Sequence, residues 1–204
     1  MKSSKTGKRH KLLLYKRSMD RLWGWTLVLG LLLAALWFIQ YWWDLSVFKT
    51  NNSVYLIAGS VVCLGFSLFA FLARSMAYVQ AKADHIQIVT PFLKLKVSYR
   101  RVRSIHPTSF QSLFPPDKAG WLQQRFLEPF YGQTVVVVDL STFPAKERSL
   151  RLFLPEQMFS PRGKGFVMVV PDWMEFSTEL DSFNGRWLQT QVAKEKTGRT
   201  ARAY

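Results

Sequence analysis

The residues of this 204-residue chain that could carry chemistry are few and widely spread. The sole cysteine, Cys63, lies in an apolar run, and the three histidines stand far apart at His10, His85 and His106. A zinc site needs three or four Cys, His or carboxylate ligands converging on one point, and no ligand spacing of that kind occurs. His85, in a tight turn, and His106, beside Pro107, read as structural residues. Carboxylates at Asp139, Glu147, Glu156, Asp172 and Glu175 show no spacing that makes two of them an acid–base pair. The stretch Ser160-Pro161-Arg162-Gly163-Lys164-Gly165 is basic and glycine-rich but lacks P-loop spacing. It reads as a hairpin connection. No Ser, His and Asp carry a hydrolase signature. The expectation is a protein that is not an enzyme, holds no metal or cofactor, and acts by binding.

Two segments have the composition of binding surfaces. Lys94 and Lys96 alternate with Leu93, Leu95 and Val97, the period of a half-buried strand. Arg100 continues the same parity, with Arg101 and Arg103 close by. These five cations are candidates for contact with anionic lipid headgroups. The second segment, residues 108–133, is rich in aromatics: Phe110, Phe114, Trp121, Phe126, Phe130 and Tyr131. Asp117, after Pro115-Pro116, is placed to cap a helix running to Glu128. A connection this long is often functional, so Trp121, Phe126 and Phe130 are candidates for a protein-partner surface in the membrane or cytoplasm. The competing expectation is a lid packed on the core of its own sheet.

The elements that must position these residues begin with two apolar runs, 22–43 and 54–73, which contain no charged residue. About 20 apolar residues in a helix cross a bilayer core, so each run is long enough, and only residues 44–53 separate them. Trp23, Trp25, Trp37, Tyr41, Trp42 and Trp43 bracket the first run, and Tyr55 and Tyr78 the second, as side chains with an apolar body and a polar tip do at headgroup level. Residues 1–21 hold eight basic side chains against Asp20 alone, and Lys49 and Asp44 cancel in the connection. By the positive-inside bias both termini are cytoplasmic in a multi-pass protein of the cell (inner) membrane. The first run is too long for a signal-peptide core and is followed by no small-residue cleavage site, so it reads as an anchor. A single cysteine excludes an internal disulfide and agrees with a cytosolic polar part. Of the net charge of +15, nearly half lies in residues 1–21. Topology and lipid attraction account for it better than nucleic acid does.

Small residues recur at helical spacing in both runs: Thr26, Gly30 and Ala34 in the first, Gly59, Cys63 and Ser67 in the second. Such faces let helix backbones approach closely, so the two are expected to pack together within one hairpin. The alternative is a homo-oligomer seam. Intramembrane charges, the usual mark of a conduction path, are missing from both runs; Gln40 is the nearest approach.

The polar part reads as strands closed by a helix. Strand patterns occur at 76–82, 86–89, 93–97, 102–105, 134–140, 150–154 and 166–170, which suggests a curled antiparallel sheet or small barrel of about seven strands. Asp172 and Glu175 have capping-box spacing. Trp173, Phe176, Leu180, Phe183 and Trp187 follow in steps of three and four, an apolar helix face. Asn184-Gly185 is the expected end or bend.

Tyr78-Val79-Gln80-Ala81-Lys82-Ala83-Asp84-His85-Ile86-Gln87-Ile88, followed by Leu93-Lys94-Leu95-Lys96-Val97-Ser98-Tyr99 and Val102-Arg103-Ser104-Ile105, resembles the opening of bacterial membrane-anchored PH-like (pleckstrin-homology-like) domains. The resemblance covers roughly residues 76–190. It implies an α+β domain with seven strands and a closing C-terminal helix, serving as a binding or assembly module. It does not extend to phosphoinositide recognition, because the turn Ala83-Asp84-His85 has no Lys or Arg. The expected organisation is a basic cytoplasmic tail over 1–21, a transmembrane hairpin over 22–75 with helices at about 22–43 and 54–75, a PH-like domain over 76–193 and a basic disordered tail over 194–204. The alternative function is a channel or transporter subunit whose hairpin oligomerises, with the polar domain regulating it.

Overall fold

The computed structural model describes residues 6–43, 53–118 and 120–200. The expectations for Lys2, Lys5, the connection carrying Asp44 and Lys49, the side chains of Tyr41 and Trp43, and residues 201–204 fall outside the described residues or side chains. The chain divides into two units, one made of Met1–Leu14 with Ala77–Tyr204 and the other of Tyr15–Met76.

The first unit opens with a strand where a tail was expected. β1 (Thr6–Lys11) comes before both apolar helices, α1 (Leu13–Trp43) and α2 (Ser53–Ala73), yet it pairs antiparallel with β2 (Tyr78–Lys82), which follows them. β3 (His85–Val89) and β4 (Lys94–Ser98) complete a four-stranded sheet in the order β1-β2-β3-β4. The basic composition of β1 concealed it. Only His10 faces inward with a side chain of any size, while Lys8, Arg9 and Lys11 are exposed. Hydrogen bonds from Leu12 N to Ala77 O and Leu13 N to Val169 O extend the attachment past the strand end.

A 3₁₀ turn, Tyr99–Arg101, leads into the second sheet. This holds β5 (Val102–Ser109), β6 (Thr134–Leu140) and β7 (Gly165–Met168) in the order β5-β6-β7. Between β5 and β6 lie α3 (Phe110–Leu113) and α4 (Trp121–Leu127), and between β6 and β7 lies α5 (Glu147–Phe153). α6 (Trp173–Thr200) packs against β2, β5 and β6. Val79, Ala81, Ile86, Ile88, Val135, Val138, Phe166, Phe176 and Leu180 have no exposed surface and form the centre of the core.

Four expectations change. Among the described residues the strands form two sheets of four and three, not a closed barrel. Residues 150–154 are helical through Phe153: Leu150 and Leu154, four apart, are buried while Leu152 is 81% exposed, whereas a strand would put all three on one face. The Glu147–Arg151 pair at 2.7 Å supports that short helix. The helix expected from Asp117 to Glu128 is broken into a 3₁₀ turn at Pro116–Lys118, α4, and a second turn at Glu128–Phe130. Finally, α6 runs unbroken through Asn184-Gly185 and past Lys194. The Trp187 ring, 6.3 Å from Tyr99, keeps the helix packed beyond the glycine. Its start is as expected: Asp172 Oδ1 accepts from Glu175 N at 2.9 Å.

In the second unit, two helical segments, Leu13–Gln40 and Val54–Ala73, are long and apolar enough to cross a membrane. α1 begins nine residues before the apolar run. At 31 residues it is roughly 46 Å long, well over the ~30 Å of a hydrocarbon core.

Candidate functional site

Strand register assembles a polar face that no single strand reveals. Ile86 and Ile88 pair with Ala81 and Val79 on one side and with Val97 and Leu95 on the other, and all point to the core. Strand alternation sends their neighbours to the opposite face. There two rows cross the whole four-stranded sheet: Arg9–Gln80–Gln87–Lys96 and Lys11–Tyr78–Val89–Lys94. Each row has a cation at both ends. Lys82, His85 and Ser98 continue the same face, and none of these residues is acidic. Arg9, Lys11, Lys94 and Lys96 are exposed. The Arg9 guanidinium lies 4.9 Å from the centre of the Tyr78 ring, a cation–π contact that leaves its charge at the surface.

The centre of this face is polar and partly closed. Gln80 Nε2 donates to Gly7 O at 2.6 Å. Gln87 is 3% exposed, and its Oε1, like His85 Nε2, has no hydrogen-bond partner among the described residues. Burial, with the charges of Lys82 and Lys96 adding to it, holds the His85 pKa below the usual imidazole value against the opposing pull of Asp84.

β1 is held in place by α6. Glu179 Oε1 accepts from Lys8 N at 2.8 Å, and its Oε2 lies 3.2 Å from His10 Nε2. The His10 ring packs against Phe176 at 5.0 Å. Lys8 Nζ donates to both Glu175 oxygens at 2.9 and 2.7 Å, and this pairing raises the lysine pKa. The Glu179 carboxylate occupies the space beside Gly7 that a Cβ would need, so a larger residue there would displace the carboxylate. Deep in the same unit, burial together with the Glu179 charge drives the Tyr99 phenol well above its ordinary pKa.

The residues singled out from sequence divide accordingly. Lys94 and Lys96 are on the cationic face. Arg100 is not, because the strand ends at Ser98 and the 3₁₀ turn breaks the parity. Arg101 is partly buried and donates to Phe143 O at 2.8 Å, a structural role. Arg103 is exposed on β5, in the other sheet. Trp121 is 69% exposed, with the Arg125 guanidinium 5.9 Å from its ring, and Phe126 is half-buried. Phe130 is core instead of surface: it is 5% exposed and its ring lies 5.8 Å from Phe110. Arg9 and Lys11 were missed. Their signal was the alternation around His10, masked by reading the whole basic run as a topology determinant.

In the helical unit, Gly30 is buried, and a Cβ there would lie 3.0 Å from Leu64 and 3.3 Å from Cys63. Ser60, absent from the small-residue series read from sequence, donates to Gly30 O at 3.1 Å. Ser67 Oγ donates to Trp23 O at 3.3 Å, and Gly59 faces Leu33. Thr26 bonds back to Leu22 O within its own helix, and Ala34 is half-buried.

Ser104, His106 and Asp139 do meet, but not as a catalytic triad. Ser104 Oγ donates to Asp139 Oδ2 at 2.7 Å and His106 Nδ1 lies 3.6 Å from the same oxygen, so the carboxylate occupies the position a base would need beside the hydroxyl. Among the described residues no three His, Cys, Asp or Glu converge to hold a metal ion. No family model, curated protein or solved structure matches this chain.

Proposed function

We propose that this chain is a two-span membrane anchor carrying a PH-like binding or assembly domain on the cytoplasmic face of the cell membrane, with no chemistry of its own. The observation that carries this reading is the pairing of β1, which precedes both apolar helices, with β2, which follows them. Backbone strands cannot pair across a bilayer. Both polar segments therefore share one side, and the helices between them cross twice or not at all.

Three further features support the two-span cytoplasmic anchor. Leu29, Leu32, Leu36, Val61, Val62 and Leu68 are each at least half exposed, an apolar surface that water disfavours and lipid accepts. Lys16, Arg17, Arg21 and Arg74 gather at one end of the hairpin, where Arg74 Nη1 lies 3.2 Å from Asp20 Oδ1, and cations at that end favour a cytoplasmic side. Gly30 and Ser60 spend their close approach inside the hairpin, which favours an anchor over an oligomeric conduction path.

Alkaline carbonate extraction with two tags tests the proposal. The chain should stay in the membrane pellet, a cytoplasm-only reporter after Tyr204 should be active, and a tag at Asn51 should be reached only from outside. Release by carbonate, or a cytoplasmic Asn51, would overturn it.

A further inference from the structure

Resting on the membrane-anchor reading, we infer that the outer face of the β1–β4 sheet docks on the anionic leaflet of the bilayer in which the chain is anchored, through Arg9 and Lys11 at one edge and Lys94 and Lys96 at the other. Three observations converge on this partner. First, the two outer rows carry charge of one sign only. The carboxylates that approach β1, Glu175 and Glu179, belong to α6 and are engaged by Lys8 and His10, while the outer rows hold cations and neutral groups alone. Second, the cations are placed at the two edges of a sheet four strands wide, about 14 Å apart at the usual strand spacing. That spread suits many headgroups better than one small ligand. Third, the row Lys11–Tyr78–Val89–Lys94 is close to the anchor along the chain: Lys11 is two residues before the start of α1, and Tyr78 is five residues after the end of α2. Tyr78 is the kind of side chain that settles at headgroup level.

The partner is thus a lipid surface of net negative charge, recognised by charge density and not by headgroup identity. Each lysine or arginine close to such a surface changes the docked-to-free ratio by about fivefold. The attraction is screened over about 10 Å at 0.1 M salt and about 3 Å at 1 M.

The test uses the full chain, with Cys63→Ala and a fluorophore on Ser98→Cys, a position on the same face, reconstituted in phosphatidylcholine bilayers with or without phosphatidylglycerol. Quenching by a headgroup-attached spin label should be several-fold stronger with phosphatidylglycerol and should fall to the phosphatidylcholine level at 1 M salt. Arg9→Glu with Lys96→Glu should abolish the difference, and Arg100→Glu, off the face, should leave it unchanged. Equal quenching in the two bilayers, or an equal loss in the Arg100→Glu variant, would overturn the inference. Far-UV circular dichroism checks that each variant is folded; if the Arg9/Lys96 pair unfolds, Lys94→Gln with Lys96→Gln takes its place and should reduce the difference. A chain that carbonate strips from these bilayers would instead refute the anchor itself.

Discussion

His10 Nε2 lies 3.2 Å from Glu179 Oε2, although 169 residues and two long apolar helices separate them along the chain. This contact, with the adjacent Lys8–Glu175 pair, ties a strand made before the helices to the last helix of the domain made after them. The polar domain is therefore discontinuous, and it is complete only when both ends of the helical hairpin have been delivered to it.

A fragment beginning at Ala77 should be incomplete. It lacks β1, leaving the β2 edge unpaired and His10 missing from its site beside Phe176. Residues 77–204 alone should aggregate or exchange their β2 amides quickly, because an open edge invites pairing with other chains. Joining residues 1–14 to residue 77 through a Gly/Ser linker should restore a monodisperse domain. Size-exclusion chromatography and hydrogen exchange would show it, and a well-folded 77–204 fragment would contradict it.

Removing the Glu179 carboxylate should loosen β1. Glu179→Ala strips the partner from Lys8 N and from His10, and a polar group left unpaired typically costs about 1–3 kcal/mol. Urea unfolding in neutral detergent should show a loss in that range. An exposed control, Gln189→Ala, should stay within about 0.5 kcal/mol.

The aromatic segment should divide sharply between core and surface. Phe130→Ala should cost about 3–5 kcal/mol, the range for a buried phenylalanine. Trp121→Ala should cost less than about 0.5 kcal/mol, since that ring is 69% exposed. Equal effects would mean that the two rings do not occupy different environments.

His85 should make the fold weaken as the pH drops. Its pKa is lowered by burial and by Lys82 and Lys96, so the unfolded chain takes up a proton more readily than the folded one. Stability from this group is complete above about pH 6.5 and is lost as the pH falls through the lower folded value. Thermal midpoints measured between pH 7.5 and pH 5 should fall more for the wild type than for His85→Gln. An equal or smaller fall would show that His85 is not held neutral by its surroundings.

Much of this architecture was legible from periodicity. The two apolar runs, the hairpin strands around Ala83-Asp84 and the stripe Phe176, Leu180 and Phe183 all announce themselves, because burial on one face imposes a period that local residues display. What was not legible depended on distant partners. β1 has the composition of a charged tail and becomes a strand only because β2 offers it an edge and Glu179 receives its backbone N–H. Leu150 to Leu154 satisfied two periods at once, and only the exposure of Leu152 decides for helix. The cationic face was half visible: Lys94 and Lys96 by alternation, Arg9 and Lys11 only through a register that spans the hairpin.

The pairing of β1 with β2 can be trapped directly. With Cys63→Ala, cysteines at Arg9 and Gln80, which are register partners, should join by a disulfide when intact membranes are oxidised. A protease site inserted at Asn51 would then yield two fragments that stay together until the bond is reduced. Cysteines at Arg9 and Lys94, on the two edge strands, should not join. Efficient cross-linking of the first pair within one chain is the expected result. No cross-link there, or one only between separate chains, would contradict a binding domain built from both ends of a membrane hairpin.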